Sequence, residues 1–520
     1  MWTGWNISAA FCLILALVVL YMKKDEFKRI DVPSDFHVII VGSGVSGICM
    51  GKKLKDLGIQ FTILEKSASL GGTWYDNTYP GCACDVPSHL YSYSFYLNPK
   101  WTRNYSRQEE ILRYLQRSSD KFGVTPHVQF NKRVELNTWN KATNKWTVKT
   151  TDGKEMTADF IISGSGALHV PKLPSFPGMD SFSGDSFHTA LWNNDFNPKD
   201  RNVAVVGTGA SAVQAVPSLA KLGVKTLTVF QRTPCWSPPR LDYAYPEFIK
   251  TLFAWIPFTN ILHRYFIFWR NEFRFWAIFT KDGIISKLLS PLVHKLVRKH
   301  IKMVVKDPVV AQKLTPTYDM GCKRITPSDD YLQTFNLDNV NLVTDTIQEV
   351  TENGIKTCDG KIHEVDTIVY ATGFDLDKSL QPFNVIGLSG KTEEGLEPRA
   401  YFGITHPEFP NLFVLLGPGT GLGHNSIIFM IECQVNYAAD AICKMINSGA
   451  KSMVLKPEVL KNYTEFSKKH MKNKVFADNS QVAGWYRNEE GENWTLWPLD
   501  LVSYWRYTFT CDMEEYFLSY

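Results

Sequence analysis

The stretch FHVIIVGSGVSGICMGKKLKDLGIQFTILEK, residues 36–66, has the pattern of a strand, a glycine turn, a helix and a second strand. Its turn reads GxGxxG: Gly42 permits the tight turn, Gly44 lets a pyrophosphate approach the backbone, and Gly47 lets the helix pack on the strand. Glu65 ends the second strand, where a carboxylate can bind the ribose hydroxyls. The stretch therefore predicts a Rossmann-like domain that binds a dinucleotide.

A second stretch, RNVAVVGTGASAVQAVPSLAKLGVKTLTVFQRT at residues 201–233, repeats the same plan. Its turn reads GxGxxA, and Ser211 can donate a hydrogen bond to a phosphate. Arg232 replaces the acid expected at the end of the second strand, which suits the 2′-phosphate of NADPH better than the free ribose of NADH. The cofactor-binding residues predicted in this stretch are Gly207, Gly209, Ser211, Ala212, Arg232 and Thr233.

Two dinucleotide motifs in one chain predict two dinucleotides, one held and one exchanged. Residues 69–95, SLGGTWYDNTYPGCACDVPSHLYSYSF, exceed what a simple nicotinamide-binding unit needs and indicate a loop folded over a larger cofactor. FAD at the first motif and NADPH at the second is therefore the economical assignment. DTIVYATGFD at 366–375 is interpreted as the turn that closes such a flavoprotein. The further residues predicted to bind cofactor are Gly72, Thr73, Trp74, Asp85, Tyr91, Val134, Ala371, Thr372 and Gly373.

The composition excludes several other classes of protein. The chain has 520 residues, of which 44% are apolar and 21% are charged, and its net charge is +4. It is therefore a globular chain of more than one domain, without the clustered basic face that nucleic-acid binding needs. Of its 10 cysteines only Cys82 and Cys84 lie close together. That spacing is poor for zinc, so we expect reduced thiols and no metal site.

The N-terminus differs in character from the rest of the chain. Residues 1–22 contain no charged side chain, and Trp2, Trp5 and Tyr21 flank an apolar segment that Lys23 follows. Because no small-residue cleavage site follows, an uncleaved membrane anchor is favoured over a removed signal peptide. The lysines after the segment predict that the body of the chain faces the cytosol, at the endoplasmic reticulum in a eukaryotic cell.

FSGDSFHTALWNND at residues 182–195 lies between the two glycine motifs and is interpreted as a connection between two domains. It fits the pattern FxGxxxHxxxW. Together with GSGVSG, GGTWYDNTYPGCACD, GTGASA, FQRT, YATGFD and GPGTGLGHNS, it makes the chain from about residue 35 onward resemble the class B flavoprotein monooxygenases, and among them the Baeyer–Villiger monooxygenases. Asn193 departs from the fuller Baeyer–Villiger pattern, which has Pro or Asp there. The residues expected to couple the domains are Phe182, Gly184, His188 and Trp192.

The resemblance also implies positions for the catalytic groups. In MGCKRITPSDDYLQTFNLDNV, residues 320–340, it implies that Arg324 lies over the flavin and that Lys323 holds the NADPH 2′-phosphate. The carboxylate partner of the arginine falls on Asp85. A permanent guanidinium charge would stabilise a C4a-peroxyflavin anion and its adduct with a ketone. The expected reaction is NADPH- and O2-dependent conversion of a lipophilic ketone to an ester or lactone.

Other interpretations of the same residues stay open. A related flavin-containing monooxygenase would oxygenate nitrogen or sulfur, and an FAD- and NADPH-dependent disulfide reductase would use Cys82 and Cys84. His424 can contact the flavin or cap the following helix. The aromatic run at 251–279 can be a buried helical subdomain or a membrane-facing surface through which substrate enters. Residues 484–508 resemble the segment near the substrate in the family, without an assigned catalytic residue.

The predicted fold is α/β, with two Rossmann-like dinucleotide-binding domains, a helical insertion and an N-terminal membrane-anchor helix. The predicted domains are an anchor and linker at 1–30, the first part of an FAD domain at 35–185, an NADPH domain at 186–345 with a helical insertion at about 235–315, and the second part of the FAD domain with the C-terminal segment at 346–520.

Overall fold

The computed structural model of the chain describes residues 30–380, 383–390, 392, 399–477, 486–487 and 491–520. These residues contain two parallel sheets with helices on their faces, which confirms the α/β class with two Rossmann-like units. Within the described ranges no helix combines the length and the apolar composition that crossing a bilayer requires. The segment predicted as an anchor lies in residues 1–29, outside the described residues, and stays a prediction.

The first parallel sheet contains the first glycine motif. Its strands are β1 (His37–Val41), β2 (Gln60–Leu64), β3 (Val128–Gln129), β7 (Phe160–Ser163) and β17 (Leu412–Val414). They lie in the order β17-β7-β1-β2-β3. The chain thus leaves this sheet after β7, forms the second sheet, and returns to the first at β17.

The second parallel sheet contains the second glycine motif. Its strands are β8 (Asp185–His188), β9 (Asn202–Val206), β10 (Thr226–Phe230), β11 (Val340–Val343) and β15 (Thr367–Tyr370), in the order β11-β10-β9-β15-β8. The interpretation of 182–195 as a connection is therefore wrong in part, because β8 is a strand of this sheet. Its polar residues mislead because an edge strand has a neighbour on one side only, so Asp185 and Ser186 are exposed.

The position of β15 also corrects the predicted domain boundary. This strand pairs in parallel with β9 and β8, so the YATGFD segment belongs to the second sheet and not to the second part of the first domain. A boundary between residues 345 and 346 is therefore too early. The error has a physical origin. In each sheet a third strand, β7 or β15, ends beside the glycine turn, and the residues that follow the two strands are similar in sequence.

Close backbone approach explains the glycines at the two turns. Gly42 has φ +95°, and a Cβ on it would lie 2.7 Å from the carbonyl oxygen of Gly164, which follows β7. Gly207 repeats this arrangement with φ +116° and a distance of 2.5 Å to the carbonyl oxygen of Ala371, which follows β15. Side chains other than hydrogen would both clash and strain the backbone there. The two turns are thus built by the same constraint.

Three smaller sheets flank the parallel ones. The first contains β4 (Val134–Asn140), β5 (Lys145–Thr150), β6 (Glu155–Ala158) and β16 (Asn384–Ile386). The second contains β12 (Ile347–Thr351), β13 (Gly354–Thr357) and β14 (Ile362–Glu364), and the third contains β18 (Ser452–Leu455) and β19 (Tyr516–Ser519).

The helices form the layers over the sheets and the insertion in the second unit. They are α1 (Val45–Leu57), α2 (Thr73–Asp76), α3 (Gln108–Lys121), α4 (Ala210–Lys221), α5 (Glu247–Trp255), α6 (Pro257–Arg274), α7 (Ile284–Val304), α8 (Pro308–Lys313), α9 (Tyr331–Thr334), α10 (Leu376–Leu380), α11 (Ile427–Ser448), α12 (Pro457–Met471) and α13 (Leu501–Tyr507). A π-helical turn at Phe275–Phe279 continues α6. Helix α11 begins after a Ser426 cap and ends at left-handed Gly449, and it packs with α1 in the core of the first unit.

His188 closes β8 and is buried. Its Nδ1 accepts a hydrogen bond from the Ala190 N–H at 3.0 Å and so caps the short turn that follows. Burial lowers the pKa of His188 to about 4. The imidazole is therefore neutral at physiological pH.

Replacing His188 by Asn should make the protein less sensitive to acid. A histidine whose pKa is lowered by folding contributes stability that is complete above its ordinary pKa of about 6.5 and is lost as the pH falls toward the folded value, which here amounts to about 2–3 kcal/mol by pH 4.5. The amide oxygen of Asn can keep the hydrogen bond from Ala190. We expect urea unfolding at pH 7.5 and 4.5 to show a smaller loss of stability in His188→Asn than in the parent. Equal losses would contradict the assignment.

Candidate active site

A cleft of about 1080 Å3 lies between the two units, and both glycine turns line it. The same cleft is lined by the 69–95 loop, by the turn after β15 and by Arg324. Because both turns lie at the carboxyl ends of parallel strands, the helices that follow them direct their N-termini toward the cleft. Two dinucleotides held at these turns would therefore meet in one space.

The first turn is closed by its own acid. Glu65 is buried, and its Oε2 accepts hydrogen bonds from the backbone N–H and the hydroxyl of Ser43, both at 2.7 Å. Its Oε1 accepts from the Ser67 N–H at 2.8 Å. Glu65 thus orders the glycine turn, and because it also lines the cleft, the remaining lone pair on Oε1 is available to a ribose hydroxyl.

The 69–95 loop forms a wall of the cleft at the first turn. Gly72 approaches Gly44 closely, since a Cβ on Gly72 would lie 3.0 Å from the Gly44 Cα. Trp74 donates a hydrogen bond from its indole Nε1 to the Tyr91 hydroxyl at 3.0 Å, and the two rings meet edge to face. The predicted residues that line the cleft on this side are Gly42, Gly44, Glu65, Gly72, Thr73, Trp74, Asp85, Tyr91 and Val134, whereas Gly47 lies behind the turn against the Gly42 carbonyl.

At the second turn two cations lie close together. Arg232 ends the turn that follows β10, and Lys323 comes from the segment after the helical insertion. Burial lowers the pKa of Lys323, and the positive charge of Arg232 lowers it further. Within the described part of the chain, no carboxylate lies within salt-bridge distance of either cation. The pair therefore offers two positive charges to an anion such as a 2′-phosphate.

The other residues predicted at the second turn also line the cleft, with one exception. Gly207, Gly209, Ser211, Thr233, Ala371, Thr372 and Gly373 line it. Ala212 instead is buried in the core of the second unit, so its small side chain serves the packing of α4 on the sheet. The turn after β15 is joined to the crossover before β8, because the Thr372 hydroxyl donates to the Lys172 carbonyl at 2.6 Å.

Arg324 and Asp85 form a bidentate ion pair in the cleft. Arg324 Nε donates to Asp85 Oδ2 at 3.0 Å, and Nη2 donates to Oδ1 and Oδ2 at 2.8 and 2.6 Å. Nη1 donates to the Leu422 carbonyl at 3.3 Å. The carboxylate raises the pKa of Arg324, and 31% of the arginine side chain remains exposed. The resemblance predicted this pair across 239 residues of sequence, and the structure brings it together.

Tyr486 is a residue at the site that the sequence does not reveal. It is buried close enough to Arg324 for the two groups to interact electrostatically, and burial raises the pKa of its hydroxyl to about 12. It comes from the C-terminal segment, in which Arg487 and Thr495 line the cleft. The resemblance of 484–508 to a segment near the substrate was the only available signal.

Gln214 is a second residue that sequence reasoning missed. It lies on α4 of the second unit, and its amide oxygen accepts from the Tyr79 hydroxyl at 2.8 Å and from the Ala83 N–H at 3.2 Å. Its Nε2 donates to the Ala83 carbonyl at 2.9 Å. Gly81 has φ +85°, and a Cβ on it would lie 2.5 Å from the Gln214 carbonyl oxygen. The helix that begins at the second turn thus holds the loop that carries Asp85.

The four residues of the FxGxxxHxxxW pattern lie in different surroundings in the structure. Phe182 packs under the second sheet, and a Cβ on Gly184 would lie 2.3 Å from the Asp366 carbonyl oxygen. Trp192 stacks edge to face on Phe187 and packs against the apolar cores of both units. Trp192 is thus the member of the pattern whose contacts span the two units.

His424 does not cap the following helix, and its side chain does not line the cleft. The cap of α11 is Ser426, whose hydroxyl accepts from the Ile428 N–H at 3.3 Å. His424 instead pairs through Nε2 with Glu272 Oε1 at 3.2 Å, and both side chains are buried. Glu272 also accepts from Asn425 at 2.6 Å and from the Leu501 N–H at 3.0 Å. This cluster joins the helical insertion to the loop that lines the cleft.

The residues fit two dinucleotide cofactors of different charge. At the first turn a carboxylate lines the space where a ribose diol would lie, and the cleft continues along the 69–95 loop. At the second turn Gly209 leaves open space, with nothing within 4 Å of an added Cβ, and two cations stand nearby. This arrangement defines a flavoprotein of the two-dinucleotide class that takes FAD and NADPH.

Comparisons with known proteins give the same class. The family model for pyridine nucleotide-disulphide oxidoreductases matches residues 39–252. The chain is 38% identical over 487 residues to a Baeyer–Villiger monooxygenase of Streptomyces coelicolor, with 92% of each chain covered. It is 38% identical over 465 residues to a Baeyer–Villiger monooxygenase of Pseudomonas aeruginosa, with 89% of this chain and 87% of that one covered.

Solved structures extend the likeness to the whole fold. An oxidized steroid monooxygenase bound to NADP matches with a TM-score of 0.81 and 27% identity, over 93% of this chain and 99% of that one. A closed cyclohexanone monooxygenase matches with a TM-score of 0.81 and 28% identity, over the same shares. The chain therefore belongs to the Baeyer–Villiger monooxygenase family of class B flavoprotein monooxygenases.

Gly209→Ala tests the assignment of the second turn without disturbing the fold. The protein leaves room for this methyl group, so the unfolding free energy should change by less than about 0.5 kcal/mol. A pyrophosphate that approaches the backbone there would collide with it. We expect the KM for NADPH to rise at least tenfold with unchanged FAD content.

The matched control is Gly44→Ala in the first turn, where an added Cβ would lie 3.5 Å from the Gly72 Cα, an ordinary contact distance. That variant should lose FAD and keep its apparent affinity for NADP, as measured by titration of the folded protein. An unaltered KM for NADPH in Gly209→Ala would sink the assignment of the second turn.

Proposed function

We propose that the protein is an NADPH- and O2-dependent flavin monooxygenase that converts a ketone to an ester or lactone. The observation that carries this proposal is the Arg324–Asp85 pair, which lies in the cleft shared by both glycine turns. Family membership at 38% identity over 92% of the chain supports the same reaction. The neighbouring structures include a cyclohexanone monooxygenase with bound ε-caprolactone.

The two cofactors have separate residues to hold them. FAD would lie at the first turn against Glu65 and the loop that carries Trp74, and NADPH would lie at the second turn with its 2′-phosphate between Arg232 and Lys323. When bound, the flavin supplies the redox chemistry, which comprises hydride acceptance from NADPH and activation of O2. The protein supplies position, charge and exclusion of water.

Arg324 would stabilise the negative charge that develops on oxygen when a ketone carbonyl is attacked. A guanidinium keeps its charge at every relevant pH, and here Asp85 raises its pKa further. Nε and Nη2 both donate to the carboxylate of Asp85. Among the described residues, the hydrogen-bond partner of Nη1 is the Leu422 carbonyl, at 3.3 Å. Asp85 orients the guanidinium plane and offsets part of its charge. Nη1 is therefore the guanidinium nitrogen most available to donate a hydrogen bond to a substrate oxygen.

The rival function of disulfide reductase has little support in the geometry. Cys82 and Cys84 are both buried, and burial raises the pKa of Cys82 to about 12 and that of Cys84 above its ordinary value. Thiolates are the reactive form of cysteine, so neither thiol is prepared for exchange. We expect the double variant Cys82→Ser, Cys84→Ser to keep ketone-dependent NADPH oxidation. Loss of turnover in a folded, FAD-loaded double variant would favour the reductase.

The place of the protein in the cell is part of this proposal. We infer that the apolar segment within residues 1–22 anchors the chain to a membrane and that the body faces the cytosol. The support is the uncharged segment followed by Lys23 and Lys24. A membrane location would suit a lipophilic ketone.

Arg324→Met should strongly lower the rate of ester formation while NADPH oxidation continues. Removal of one charge-stabilising donor from a site of this kind costs about 10²–10³ in rate. Arg324→Lys is the matched control, since it keeps the charge and loses the bidentate fit to Asp85, and it should fall between the parent and the Met variant.

Product analysis with a ketone and a thioether, together with NADPH consumption, measures both outcomes. Ester formation at the parental rate in Arg324→Met contradicts the role given to the arginine. Sulfoxide without ester from the parent protein contradicts the proposed reaction and favours the heteroatom-oxygenating alternative.

A further inference from the structure

Helix α6 has its polar face turned inward and its apolar face turned outward. The residues exposed along it and the adjoining π turn recur at intervals of three and four, as one stripe does on a helix. They are Phe258, Leu262, Phe266, Trp269, Phe273 and Trp276. The buried residues of the same helix are mostly polar, namely Asn260, Arg264, Asn271 and Glu272, beside Ile267 and Phe268. This is the reverse of a helix at a water-facing surface.

The inward polar residues are fixed by specific bonds. Arg264 is 8% exposed, and its Nη1 donates to the carbonyl oxygens of His89 and Ser92 at 2.9 Å each. Asn260 Oδ1 lies 2.8 Å from His89 Nδ1, and Glu272 bonds the His424 cluster described above. These contacts set the rotation of α6, so the aromatic stripe cannot turn inward without their loss.

The neighbouring helices extend the exposed apolar surface. On α5, Phe248, Leu252 and Trp255 are exposed, and on α7 a stripe is formed by Ile284, Ile285, Leu288, Leu292, Leu296 and Met303. Trp255, Phe266 and Leu288 are 84%, 65% and 71% exposed. Single exposed apolar residues are ordinary, whereas runs of them on three helices that pack in succession mark an interaction surface. We call the exposed apolar residues of α5–α7 the outer face.

The charge beside the outer face identifies its partner. Helix α7 carries Lys287, Lys295, Arg298, Lys299 and Lys302 and contains no acidic residue. A basic helix with an apolar stripe, flanked by tryptophans, is the composition of helices that lie in the interfacial layer of a bilayer. The four lysines are exposed, whereas Arg298 lies over the ring of Trp236. In a symmetric dimer through this face the lysines would oppose their own copies, which disfavours a second copy as the partner.

We propose that the outer face of α5–α7 binds the surface of a lipid bilayer that contains anionic lipids. The exposed aromatic and aliphatic side chains enter the interfacial layer, and the lysines of α7 meet the phosphate and carboxylate headgroups. This contact lies on the surface and does not cross the membrane. It is independent of the reaction proposed above and of the N-terminal segment.

Vesicle binding tests the proposal. A chain that begins at Ile30 keeps every described strand and helix, and bound FAD reports that it is folded. The probe is a vesicle of phosphatidylcholine with about 30 mol % phosphatidylserine, which gives the surface its negative potential. We expect this chain and the full-length holoenzyme to bind these vesicles, and binding of the shorter chain to weaken with salt and with phosphatidylcholine alone.

Two triple variants compare the outer face with other exposed apolar residues. Trp255→Ser, Phe266→Ser and Leu288→Ser together should lower the partition coefficient of the shorter chain at least tenfold. Leu337→Ser, Ile362→Ser and Phe517→Ser together replace side chains that are 46%, 51% and 55% exposed elsewhere, and they should leave it unchanged.

Three results would overturn the proposal. The first is failure of the folded shorter chain to bind anionic vesicles, and the second is equal binding by the two triple variants. The third is a dimer in sedimentation that the outer-face variant dissociates while vesicle binding stays absent, which would assign the face to contact between copies. Ketone oxygenation in detergent-free buffer should be the same in both triple variants, so a failure of the proposed reaction is seen separately.

Discussion

The bidentate contact between Arg324 and Asp85 joins the two units of the fold at the point where their glycine turns face each other. Asp85 is carried by a loop of the first unit, and Arg324 follows the helical insertion of the second. A guanidinium that is partly withdrawn from water requires a charged partner, because an unpaired charge there would be strongly destabilising. The pair therefore links the two units across the cleft. The Gln214 bonds to the same loop add a second constraint from α4.

The two sheets are built alike and differ mainly in charge. Each places a third strand so close to its first turn that only glycine fits, at Gly42 beside Gly164 and at Gly207 beside Ala371. What separates them is the segment after the second strand, where Glu65 directly follows the strand in one unit and Gln231 and Arg232 follow it in the other. A carboxylate attracts hydroxyl donors and repels a phosphate, and a guanidinium does the reverse. The two turns thus present opposite charges to their ligands.

Local patterns in the sequence were sufficient for the two glycine motifs, since turn, helix and strand lie within about thirty residues of one another in such a unit. The membership of β15 was not predictable in this way. Its partners β8 and β9 come much earlier in the chain, with several strands and helices between them and β15. The residues that follow β15, Ala371-Thr372-Gly373, also resemble those that follow β7. Gln214 and Tyr486 were missed for a related reason. Each has side-chain partners remote in sequence, and neither stands in a motif with a stated function.

The orientation of α6 shows a further limit of sequence patterns. Periodicity divides a helix into an apolar and a polar face, and the usual inference places the apolar face in the core. In α6 the buried polar side chains form hydrogen bonds within the protein in place of those with water. Arg264 donates to backbone carbonyls, and Glu272 contacts His424, Asn425 and the Leu501 N–H. Because a buried unpaired charge costs more than an exposed aromatic ring, these bonds decide which face turns inward. The aromatic stripe on the opposite face of α6 is exposed because these polar contacts fix the rotation of the helix.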